Sequence, residues 1–101
     1  MKPKRMCGRL ADESMIFAHR KTQEGWNNLK IAAWLNVSQQ AVSYKVSKYQ
    51  DLMQVDRAFQ KTEALYCEQD FISRLKMHHR RNAKAATQAA EAALQLIDKL
   101  N

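Results

Sequence analysis

Proline and glycine are close to absent: the sequence has one proline and two glycines, and neither type occurs after Gly25. With so little to enforce turns, the expectation is helix throughout. Segments that alternate apolar with polar residues are also missing and the β-branched residues are scattered, which removes the case for a sheet. No apolar run is long enough to span a bilayer. The basic opening MKPKRMCGRLADES is not followed by the apolar segment of a signal peptide, so the expected setting is cytoplasmic, with no membrane partner. Cysteine is limited to Cys7 and Cys67, sixty residues apart and without C-x-x-C spacing, which reads as two reduced thiols.

Enzyme chemistry finds no foothold either. There is no Gly-rich phosphate loop, no paired carboxylates in an apolar setting and no nucleophile with a base at recognisable spacing, so neither catalysis, a cofactor nor a small-molecule ligand is indicated. His78 and His79 are adjacent, which on a helix points them about 100° apart, and Cys67 lies at no useful metal spacing from them. No metal is expected.

What the sequence does have is positive charge. Lys and Arg number 17 against 10 Asp and Glu, a formal net charge of +7, and a polyanion is the first partner to consider. A length of 101 residues supports one domain with a modest core. We divide it into a flexible basic arm over residues 1–9, with Lys2, Lys4, Arg5 and Arg9, a domain over 10–66, and a long closing helix within 67–101. A first helix is expected from Asp12 as N-cap to a stop at Gly25, a second from Asn27 or Asn28 to Leu35, and a third from after Ser38 to about Tyr49.

The segment NLKIAAWLNVSQQAVSYKVSKY, residues 28–49, carries the strongest signal. Ile31 and Leu35 are four apart on one helix, Val42 and Val46 four apart on the next, and Ala32 is small where two helices must cross closely. Between them, Asn36 can adopt the left-handed conformation that ends a helix, Val37 can plug the corner and Ser38 can cap the following helix. Together they make the turn of a helix-turn-helix. The exposed face of the third helix would then present Gln39, Gln40, Ser43, Tyr44, Ser47 and Lys48. Gln can bond adenine bidentately, Ser is permissive, and Tyr44 can pack on a thymine methyl or reach a phosphate. Residues that open such a helix reach base edges, so Gln39, Gln40, Ser43 and Tyr44 are the expected base contacts, with Ser38 and Ser47 expected to meet phosphate. Lys4 and Arg5 could add contacts from the arm. Trp26 and Trp34 lie beside apolar neighbours and read as packing around the second helix, not as stacking platforms for bases.

These residues resemble the helix-turn-helix repressors of phages and plasmids, the Cro-like motif. Ala32, Val37-Ser38 and Gln39-Gln40-Ala41-Val42-Ser43 match its buried alanine, plugged turn and recognition-helix opening. The spacing of Ala41-Val42-Ser43 to Val46 is similar also to the plasmid KorA/TrfB-type repressors. The resemblance is confined to residues 28–49 of 101. It implies that Asn28 holds a phosphate, supported by Lys30 or Lys48. Asn36 departs from the glycine usual at that place, and Lys45 from a buried apolar residue, which suggests that Val46 takes the packing role and that the helix is turned slightly.

Farther on, Ala83, Ala86, Ala90, Ala93, Ile97 and Leu100 alternate spacings of three and four, the rhythm of a helix that pairs along one seam. Ala86, Ala90, Ala93, Ile97 and Leu100 are the expected self-association residues, although Ala85, Ala89, Ala92 and Leu96 form an equally regular row. Arg74, Lys76, Arg80, Arg81 and Lys84 make a run without acids that could touch nucleic acid; a solvated helix face accounts for it slightly better, because the charges spread around more than one side. The leading expectation is an all-α, sequence-specific double-stranded DNA-binding regulator, a repressor acting as a homodimer on a palindromic operator. Two alternatives stand beside it: a phage DNA-packaging recognition subunit of small-terminase type, assembling as a ring, and an RNA-binding or antitermination adaptor that uses residues 74–84.

Overall fold

The computed structural model describes Met6, residues 8–81 and residues 94–95. The expectations for Lys2, Lys4, Arg5, Cys7, Lys84 and the seam of Ala83, Ala86, Ala90, Ala93, Ile97 and Leu100 lie outside the described residues. The chain forms helices α1 (Gly8–Gln23), α2 (Asn28–Leu35), α3 (Gln39–Val55), α4 (Arg57–Ala64) and α5 (Glu68–Arg81), with no strand among the described residues.

Local chemistry explains most of the boundaries. Helix α1 ends where Gly25 takes a positive φ of 94° and the Trp26 N–H reaches back 3.0 Å to the Lys21 carbonyl, closing the last turn. Asn27 then caps α2, its side chain accepting the Lys30 N–H at 2.8 Å. At the far end of α2, Asn36 sits at φ 56°, and the Val37 N–H bonds the Ala32 carbonyl at 3.0 Å. That geometry usually calls for glycine, and asparagine is one of the side chains that tolerate it.

Two boundaries differ from the sequence expectation. Asp12 does not cap α1 but lies within it, because the helix starts at Gly8; Arg9 therefore belongs to the helix and not to an arm. The extra turn is held by tertiary packing, since Met6 and Leu10, four apart, both lie against the core. Asp12 is half-buried there, and burial together with the Asp56 carboxylate pushes its own carboxyl above the ordinary range. Helix α3 likewise passes Tyr49 and runs to Val55. It stops at Asp56, whose side chain accepts the Phe59 N–H at 3.0 Å and so starts α4, while Gln60 Nε2 bonds the Met53 carbonyl at 2.8 Å across the corner.

The core is built around Phe17 of α1. Its ring lies 5.3 Å from Phe71 of α5, 6.0 Å edge-on from Trp26 and 6.5 Å from Trp34 of α2. Ala18, Ile31, Ala32, Leu35, Val42, Phe71 and Leu75 complete the same buried cluster. Helix α5 is thus part of the core and not an appendage to it. Charged side chains fix its direction. Lys21, late in α1, donates to Glu68 at the start of α5 at 2.9 Å, while Glu13, early in α1, meets Arg74 at 2.6 Å, so the two helices run antiparallel. Among the described residues no helix is long and apolar enough to cross a membrane.

Candidate nucleic-acid interface

The surface of interest begins with the phase of α3. Val42 is fully buried, and Val46 is half-buried against the core, which fixes the inward side of the helix. On a 3.6-residue period the neighbours on the other side must face out. Gln39, Gln40, Ser43, Tyr44 and Ser47 are all exposed, and Tyr44 leaves 62% of its surface open. Lys48 is half-buried at the edge of this face.

The start of α3 is fixed by the preceding turn. Ser38 Oγ accepts the Ala41 N–H at 3.1 Å and Val37 packs on the core, so residues 36–38 hold the helix opening clear of α2. Asn28, the first residue of α2, donates from Nδ2 to Ser43 Oγ at 3.2 Å. That bond joins the N-terminus of α2 to the outward face of α3 and places Asn28, read from sequence as a phosphate contact, beside Ser43, read as a base contact. Lys30 is less available than expected, since its ammonium sits 4.0 Å above the Trp26 ring. Trp26 and Trp34, 6.1 Å apart, are packing residues beside Phe17.

Lys45 is not on the outward face. Its Nζ donates to Ser14 Oγ of α1 at 2.8 Å, and burial pushes the ammonium pKa below the ordinary lysine value. Ser14 is fully buried and its hydroxyl donates a hydrogen bond to the Ala11 carbonyl at 2.6 Å, so the lysine reaches an oxygen already oriented to accept. A lysine fills the apolar position by laying its stem between α3 and α1 and bonding at the tip. Val46 shares the packing, as the substitution suggested.

Two further features were not singled out from sequence. Arg74, grouped there with the basic run, is committed to Glu13, which is 1% exposed. His79 Nε2 lies 3.1 Å from the Trp34 carbonyl at the end of α2. Neither pairing has a local signal, because the partners are far apart in the chain. Cys67 is a free, exposed thiol, and no cluster of His, Cys, Asp or Glu among the described residues could hold a metal. Comparison of the chain with protein-family models, with curated proteins and with solved structures finds no match.

Proposed function

We propose that the chain is a sequence-specific double-stranded DNA-binding regulator, a repressor, in which α2, the turn at 36–38 and α3 act as a helix-turn-helix with α3 as the recognition helix. The observation that carries this reading is the outward face of α3: Gln39, Gln40, Ser43 and Tyr44 stand exposed in its first two turns while Val42 between them is buried. Such a helix can enter the major groove, where a glutamine amide matches the donor and acceptor of adenine. Asn28, Ser38, Ser47 and Lys48 border that face and supply phosphate contacts. The reading keeps a homodimer on a palindromic operator, because one recognition helix covers only a few base pairs and two half-sites multiply its specificity.

Gln39→Ala and Gln40→Ala are each expected to weaken binding to the preferred duplex by roughly 1–3 kcal/mol, relative to unrelated DNA, with the fold intact. Fluorescence anisotropy against the two duplexes and circular dichroism on each variant measure the two effects separately. Unchanged discrimination in both variants would remove α3 from the recognition role.

A further inference from the structure

Four helices meet at one end of the molecule. Helix α3 runs in the same direction as α1, since Lys45 meets Ser14 and Tyr49 stacks on His19 at 4.1 Å, so α3 begins at the end of the molecule where α1 begins. Helix α5 runs the other way along α1, as the Lys21–Glu68 and Glu13–Arg74 pairs require, so its described residues reach Arg81 at that end. The contact of His79 with the Trp34 carbonyl ties the last turn of α5 to the end of α2, just before the turn that launches α3.

That last turn carries His78, His79, Arg80 and Arg81, whereas the acids of the helix, Glu68 and Asp70, occupy its first turn. From Asp70 to Arg80 a helix rises roughly 15 Å, more than the ~8 Å Debye length at physiological salt, so the acids do not neutralise the arginines. Arg80 and Arg81 are exposed and form no ion pair with any described residue. Their planar guanidinium groups suit bidentate bonding to phosphate oxygens.

We infer that Arg80 and Arg81 form a second contact with the DNA, gripping backbone phosphates beside the groove that α3 enters. The inference rests on the proposed role of α3 and adds a sequence-independent anchor to it. The pair sets affinity and salt dependence, while Gln39 and Gln40 set preference. The run at 74–84 is thus divided: Arg74 faces inward to Glu13, and the arginines at the end of α5 face the partner.

The test is the salt dependence of binding by the full chain and by its Arg80→Ala/Arg81→Ala variant, on the preferred and on an unrelated duplex. The variant is expected to fold as the parent does and to bind both duplexes on the order of tenfold more weakly at ~0.1 M salt. Its plot of log K against log salt should be shallower by about two, with the ratio between duplexes unchanged. Parental affinity and slope in the variant would overturn the inference. If at the same time Gln39→Ala lost its preference, α3 would keep its role and only the arginine anchor would fall. A reduced slope with preference intact in both glutamine variants would keep the anchor and remove the role of α3. A parent chain that ignores duplex DNA, or prefers single-stranded RNA in competition, would overturn both.

Discussion

Val42→Asp is expected to unfold the protein or to lower its thermal transition sharply, at a cost of several kcal/mol. Val42 is fully buried in the cluster that joins α1, α2, α3 and α5, and a carboxylate there would face Phe17, Ile31, Leu35 and Leu75 as cluster companions. An unpaired charge in such a setting costs roughly 4–5 kcal/mol or more, against a total stability of about 5–15 kcal/mol for a domain of this size. The neighbouring Ser43→Asp supplies the contrast. Ser43 is exposed, so that variant should keep its transition and fail to bind DNA, because its new charge would be carried into a groove flanked by phosphates. Circular dichroism melts of the two proteins separate a buried phase from an exposed one. A native melt for Val42→Asp would mean that the inward side of α3 has been assigned to the wrong residues.

Arg74→Ala is expected to cost about 3 kcal/mol, at the lower end for breaking a buried ion pair, because the arginine itself is partly exposed. The damage comes from what stays behind. Glu13 is 1% exposed, and its other cation, Arg9, lies 3.7 Å away on a side chain that is 63% exposed. The pair is not fully satisfied even when intact: Glu13 Oε1 and Arg74 Nε are buried without a hydrogen-bond partner among the described residues. Replacing both partners by apolar residues, as in Glu13→Leu/Arg74→Met, should therefore recover most of the loss, since neither charge then needs solvation. Urea denaturation of the single and double variants measures both effects. A single variant within about 0.5 kcal/mol of the parent, as for an ordinary surface change, would show that the α1–α5 contact does not depend on this pair.

The parts of the fold that were legible in the sequence are those set by neighbours along the chain. The end of α2 at Asn36, the cap at Ser38 and the buried positions of Ile31, Ala32, Leu35 and Val42 follow from turn chemistry and helical spacing, and the structure places them so. The stop at Gly25 was equally readable. The boundaries that shifted were decided elsewhere. Packing of Met6 and Leu10 lengthened α1, and the lack of any breaker at Tyr49 let α3 continue to the Asp56 cap. The break between α4 and α5 has neither glycine nor proline; it lies where Tyr66 turns in toward Phe71, 6.0 Å between ring centroids, beneath the Arg20 guanidinium. The polar ties Lys45–Ser14, Lys21–Glu68 and Arg74–Glu13 join residues 31 to 61 positions apart, and no local pattern announces them. The outward polar face of α3 could be foreseen because burying Val42 fixes its phase; the contact of His79 with the end of α2 could not, because that depends on the direction of α5.

Selection of bound fragments from random duplex DNA by the full chain bears most directly on the central claim. The expected result is one enriched sequence, arranged as two inverted half-sites about one helical turn, ~34 Å, apart, which the parent chain binds in preference to unrelated DNA and the Gln39→Ala/Gln40→Ala variant does not. A pool that stays random through successive rounds, or one enriched identically by that variant, would contradict it.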